Sequence, residues 1–417
     1  MIKLSIIIPF SQNEKDISLL FDIKKKFKNF EIIFVGSNKN IFVKKNINLI
    51  KKISKVYFLK NTSRAQCLNF GANLAKNEIL WFLHLDSKIH EIPKNFYKEL
   101  NLNRINSFNL KFNNKKLSFN SICANLRSKI LKNPFGDQSY IMSKNIFFYI
   151  NRFNEELIEG EDHEFIIRSY CKRIKINILK YYLISSARKY IEKGHGLLTI
   201  LFFYKSIIQI IFYYFKNLKF LNEKAVIIVF MKYPFSKNSK KRIRAKISNS
   251  IVDKFNEKMI KRLLFFFRNK NYLNFVIGLR YSDHKIKSLK YFYRFPKILL
   301  ENENLGMAMK KAYIFFKNIF EKIIFVGSDI PDLTISHIDS AIRTLNYYNN
   351  YFIKTNDGGF CLFGTKQKNI ENIFTKVNYS KKNTFKNFSK FTKKNYIYQK
   401  TLDDIDTAIQ LKSFLKK

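Results

Sequence analysis

The residues best placed to do chemistry are carboxylates that follow short apolar runs. Residues 79–85 (ILWFLHL) lead into Asp86, and residues 322–328 (KIIFVGS) lead into Asp329. A carboxylate at the carboxyl end of a buried strand faces the crevice where open α/β sheets bind ligands. There it can hold a divalent cation against a diphosphate. The same residue can instead cap the next helix, and spacing alone leaves both readings open for Asp86. EGEDHE at 159–164 precedes the apolar-periodic FIIRSY. These acids suit a general base, or simply the positive end of a helix. In the second half, MKYPFSKNSKKRIRAKI follows the run at 225–230. It offers cations to a phosphate, or is a solvated basic stretch. Asp357-Gly358-Gly359 is a turn signal, and its glycines let a backbone approach a ligand closely. Asp404 and Asp406 in DDIDTAIQL also read as a helix N-terminus.

Such residues need strands and helices to position them. KLSIIIPF at 3–10, EIIFVGS at 31–37 and ILWFLHL at 79–85 read as buried strands, with helical spacing over 64–76. This is a βαβ alternation, hence α/β. The alternation restarts at 225–235 and continues through 322–328 and 359–364. With 417 residues, two domains are expected, 1–222 and 223–417. EIIFVGS and KIIFVGS do not form a repeat in register, because they fall at different places in the two alternations.

Lys+Arg total 77 against 31 Asp+Glu, a net charge of +46. The lysines are spread along the chain among Asn, Ile, Phe and Tyr, all residues of A/T-rich codons, so codon bias accounts for the composition. The field still favours anionic substrates and anionic membrane surfaces. Cys67, Cys123, Cys171 and Cys361 are widely spaced and read as reduced thiols of a cytoplasmic protein. The N-terminus is apolar too briefly for a signal peptide. Residues 197–215 (LLTILFFYKSIIQIIFYYF) have nearly the length of a span, but Lys205, Ser206 and Gln209 interrupt them. A packing helix or an interfacial one fits better, the latter giving peripheral contact at the inner face of a membrane.

Taken in order, SIIIPFSQNE (5–14), RAQCLNFGANLAKNEILWFLHLDS (64–87), PFGDQSYIMSKNIF (134–147), FNEELIEGEDHEFIIR (153–168) and SARKYIEKG (186–194) form a specific set. It resembles the family 2 glycosyltransferases of GT-A fold, in particular the radical-SAM/selenodomain-associated transferase 2 group. That resemblance implies a metal at Asp86 and a base at Asp162 beside Glu161. It also implies phosphates near Arg64 and an acceptor near Asp137 and Gln138. The family's nucleoside-binding Asp after the second strand is missing from Val35-Gly36-Ser37-Asn38, where Ser37 or Asn38 would substitute. ENENLGMAMKKAY (301–313), GSDIPDL, NDGGFCLFG and DIDT resemble the radical-SAM/selenodomain-associated transferase 1 group, described as arsenosugar-type glycosyltransferases of the same fold. This second resemblance implies Lys240 and Arg242 on phosphates, a metal at Asp329, and sugar or nucleotide at Asp357, Gly358 and Gly359.

The expectation is therefore an α/β chain of two tandem GT-A-like domains with mostly parallel central sheets. It would be a bifunctional, Mg2+- or Mn2+-dependent enzyme acting on nucleoside-diphosphate sugars, inverting in the N-terminal domain, with a glycan, lipid or small metabolite as acceptor. Two alternatives stay open. The C-terminal domain could be a nucleotidyltransferase that makes the activated sugar, or the chain could be a basic membrane- or nucleic-acid-binding protein.

Overall fold

A computed structural model describes residues 3–60, 62–157, 159–186, 224–268, 274–281, 285–301, 304–379 and 382–416, with Tyr204, Ile207, Ile208 and Ile211 as isolated positions. The chain divides into two compact units, Met1–Leu218 and Lys219–Lys417. Most of the apolar stretch 197–215 and the segment after Ser186 lie outside the described residues. Among the described residues, no helix is long and apolar enough to cross a membrane.

The N-terminal unit is built on β1 (Leu4–Phe10), β2 (Glu31–Ser37), β3 (Lys55–Leu59), β4 (Ile79–Phe82), β5 (Ile105–Phe112), β6 (Tyr140–Ser143) and β7 (Ile176–Ser185). They form one sheet in the order β3-β2-β1-β4-β6-β5-β7. β1 runs parallel to both neighbours, and β6 is antiparallel to β4 and β5. β1 is buried almost throughout, which is why LSIIIPF reads as a continuous apolar run. Strand order reverses direction at β1 and β4, the place where α/β sheets open a crevice.

Local chemistry shapes that crevice. β4 pairs with β1 only as far as Phe82 opposite Ile7, whereas β1 continues along β2 through Pro9 and Phe10. Pro9 has no N–H to give, and it stands where β4 has already left the sheet. His84, Leu85 and Asp86 are therefore outside the strand, three residues earlier than the apolar run suggests. Gly36 permits the close approach of β1 and β2, since a Cβ there would lie 2.1 Å from the Phe10 carbonyl oxygen. Beneath the sheet, Trp81 is fully buried against Phe27, Phe96 and Phe108.

The C-terminal unit has β8 (Ala225–Met231), β9 (Asn274–Arg280), β10 (Lys297–Leu300), β11 (Lys322–Gly327), β12 (Asn350–Lys354), β13 (Phe360–Thr365) and β14 (Asn395–Ile397). Their order is β10-β9-β8-β11-β13-β12-β14. Numbered within the unit, this is the same 3-2-1-4-6-5-7 arrangement, again with an antiparallel sixth strand. The expected fold class, α/β with two tandem units and mostly parallel sheets, is the one the chain adopts. The phrase shared by EIIFVGS and KIIFVGS sits in the second strand of one unit and the fourth of the other. It reflects burial rather than register.

Candidate active sites

In the N-terminal unit the crevice gathers Arg64, His84, Asp86, Asp137, Glu161 and Asp162. Arg64 opens the helix Arg64–Leu74, whose start is fixed by a capping box between Ser63 and Gln66. The helix lies tight on the sheet, since a Cβ on Gly71 would meet Ile7 at 2.6 Å. The Arg64 guanidinium donates through Nε to Glu161 and lies 3.6 Å from Asp162 Oδ2 and 3.4 Å from His84 Nε2. Glu161 is buried, at 2% exposure, in the first turn of the helix Glu161–Cys171, where the macrodipole also favours it. Asp162 accepts from the backbone N–H of Gly136 (2.8 Å) and of His163 (2.9 Å). Burial would raise the Asp162 carboxyl, but Arg64, His84 and those two N–H groups outweigh it and hold it below the usual range. Asp86 is exposed in the turn after β4.

The loop 133–139 presents Asp137. Arg127 staples the loop by donating to the Asn133 carbonyl (3.0 Å) and stacking over the Phe135 ring. Gln138 does not face an acceptor. It is fully buried, donating to the Phe108 carbonyl (3.0 Å) and accepting from Ser128 (2.6 Å). Ser139 holds a left-handed φ of 61°, locked by its hydroxyl between Phe82 O and Trp81 Nε1. Ser37 lies at the end of β2, where its hydroxyl accepts from the Lys39 N–H (3.2 Å).

Asp137 Oδ1 is buried without a hydrogen-bond partner. Burial pushes its carboxyl up to about 6; Arg127 and Arg64 oppose this, while Asp162 and Asp86 add to it. A folded-state value above the unfolded one gives stability that is present below about pH 4 and lost as pH rises through about 6. Asp137→Asn is therefore expected to raise stability by about 2 kcal/mol at pH 8 and by little near pH 4. Chemical denaturation at the two pH values checks this, and an equal change at both would count against the ionised, unpartnered carboxylate.

The C-terminal unit holds a cleft of about 750 Å³. Asp329 follows β11, Lys232 follows β8 and Arg280 ends β9, and all three line the cleft. Asp329, Asp404 and Asp406 bring carboxylate oxygens within 4.8 Å of one another. Lys240 reaches into this cluster, donating to Asp329, to Asp406 (2.9 Å) and to the Ile405 carbonyl oxygen. Burial would lower its ammonium, but Asp329 and Asp406 outweigh that and raise it. Burial, with Asp406, Asp329 and Asp357 adding, pushes the Asp404 carboxyl up to about 7. Lys240 is thus placed on acids, not presented free to a phosphate. Lys241 and Arg242 are exposed on the cleft wall.

Asp357 is exposed at the cleft and accepts from Thr355 Oγ1 and from the Gly359 N–H (3.0 Å). Gly358 needs to be glycine, since its φ is +86° and a Cβ would lie 1.7 Å from the Lys382 carbonyl oxygen. Asp137 and Asp357 occupy equivalent places, each in the connection from fifth to sixth strand. His84, Arg127, Lys232, Arg280, Asp404 and Asp406 join these sites without a role that the sequence marks. For the last two the available signal was the alternate-residue spacing of acids in DDIDT, masked by the helix that begins at Ala408.

A hard dication takes an all-oxygen donor set, and three carboxylate oxygens this close fit one. The fit requires the Lys240 ammonium to move. Among the described residues no second group of acids meets that spacing, so in the N-terminal unit the fit rests on Asp86 alone.

The DUF2064 family, described as an uncharacterized protein conserved in bacteria, matches residues 285–381, well under half of the chain. No curated protein matches the sequence. Among solved structures, a nucleotide-diphospho-sugar transferase of Desulfovibrio desulfuricans G20 is similar at 20% identity and a TM-score of 0.40, over 44% of this chain and 83% of that one. TarS 1–349 of S. aureus in complex with UDP is similar at 18% identity and a TM-score of 0.38, over 65% of this chain and 89% of that one. The same protein with UDP-GlcNAc gives 17% identity and 0.37 over the same shares. TM-scores of this size decide nothing about activity.

Proposed function

We propose that the chain is a glycosyltransferase with two sites, each taking a nucleoside-diphosphate sugar and transferring its sugar to an acceptor hydroxyl. The observation that carries this reading is the C-terminal cleft. Asp329, just past β11, converges there with Asp404 and Asp406 from the segment before the helix that begins at Ala408, and Lys232, Lys241, Arg242 and Arg280 line the same cleft. Acids that can hold a cation, facing bases that can hold phosphate, are what a diphosphate leaving group needs. A bound Mg2+ or Mn2+ would neutralise the departing diphosphate.

In the N-terminal unit, Asp86 is the cation ligand and Asp162 the base. Arg64 and two backbone N–H groups keep Asp162 ionised and aimed. The acceptor oxygen attacks the anomeric carbon, its proton passes to the Asp162 carboxylate, and the bond to the diphosphate breaks on the opposite side. That displacement inverts the anomeric centre. Glu161 positions Arg64, and Asp137 stands at the acceptor side. In the C-terminal unit, Asp357 with Gly358 and Gly359 frames the sugar or nucleotide.

The test is a panel of nucleoside-diphosphate sugars with Mn2+ or Mg2+, scored for binding and for release of the nucleoside diphosphate. Turnover of at least one donor is expected. If no donor binds or turns over, the proposal fails. Pyrophosphate release from a nucleoside triphosphate and a sugar phosphate would instead assign the C-terminal unit to nucleotidyl transfer.

A further inference from the structure

Lys240 is the least expected member of the C-terminal cluster. Its side chain is 10% exposed and its ammonium bridges Asp329 and Asp406. Its backbone is left-handed, with φ 52° and ψ 41°, at the residue just before the helix Lys241–Arg244. A non-glycine residue in that conformation is held there by its surroundings. Three fixed contacts, to two carboxylates and the Ile405 carbonyl, supply the hold.

We propose that Lys240 is the resident cation of this site, and that a divalent cation gains Asp329 and Asp406 only as the ammonium leaves them. The inference rests on reading the cleft as a cation and diphosphate site. A dication needs the same oxygens that Lys240 now occupies, and two positive charges a few ångströms apart on them repel. A diphosphate entering the cleft offers the ammonium new anionic partners. Lys240 can then swing from carboxylate to phosphate and expose the carboxylates to the cation. Diphosphate and cation thus favour each other's binding, a coupling that runs equally in both directions. Without a diphosphate, Lys240 keeps the site closed to free metal.

The test measures Mn2+ binding in the absence of any nucleotide, from the electron paramagnetic resonance signal of free Mn2+. All chains carry Asp86→Asn, so the N-terminal unit does not contribute. Lys240→Met is expected to bind Mn2+ at least tenfold tighter than the parent, and Lys240→Arg no tighter than the parent. Circular dichroism confirms the fold, and Lys240→Gln replaces Lys240→Met if the latter does not fold. Equal or weaker binding by the neutral variant overturns the role of Lys240 and leaves the sugar-transfer reading standing. Tighter binding by Lys240→Arg as well also overturns it. No Mn2+ binding by any chain overturns both the role of Lys240 and the cation site itself.

Discussion

Asp329→Asn is expected to cut sugar-nucleotide turnover by the C-terminal unit roughly a hundredfold to a thousandfold, the usual effect of removing one group that stabilises charge in a transition state. Asparagine keeps the size of the side chain and removes its charge. Asp329 contributes one of three converging oxygens and is the acid nearest the end of β11. Its loss leaves two carboxylates to hold a cation, and leaves Lys240 with Asp406 and the Ile405 carbonyl. Because the Asp329 side chain is 30% exposed, the fold should survive the change. The measurement is kcat/KM for donor turnover in an Asp86→Asn background, with circular dichroism as a check. Activity within threefold of the parent would remove Asp329 from the site.

Arg64→Met is expected to destabilise the N-terminal unit by about 3 kcal/mol at pH 7, the cost of stranding a buried charge. The Glu161 side chain is 3% exposed and Arg64 is its charged partner. Without the guanidinium, Asp162 also loses the attraction that most strongly offsets its burial. The Asp162 carboxyl then rises, so its share of the deficit shrinks on acidification and is smallest near pH 4. Urea denaturation at pH 7 and pH 4 reads this directly. A loss below about 1 kcal/mol at both pH values would show that the pair does not hold the crevice together. Adding Glu161→Gln should recover part of the stability but none of the transfer, since Asp162 remains without its cation.

Short, fully buried parallel strands announce themselves as continuous apolar runs. β1, β2, β8 and β11 were therefore legible, and with β11 the position of Asp329. The antiparallel β6 and the edge strand β14 are only four and three residues long, and carry no such signal. The end of β4 was misjudged for a related reason. Leu85 is buried like a strand residue, yet by that point the chain has left the sheet. Hydrophobicity reports burial, not pairing.

The sequence by itself determined the α/β class, the two alternations and the acids that follow apolar runs, because each depends on residues close together in the chain. Only the tertiary structure decided what those acids face. Arg64 meets Glu161 across 97 positions, and Lys240 meets Asp406 across 166. Partners so distant are set by how strands are ordered in the sheet, which no local pattern encodes. The same ordering turned Gln138 inward, left one oxygen of Asp137 buried without a partner, and placed an ammonium where a metal was expected.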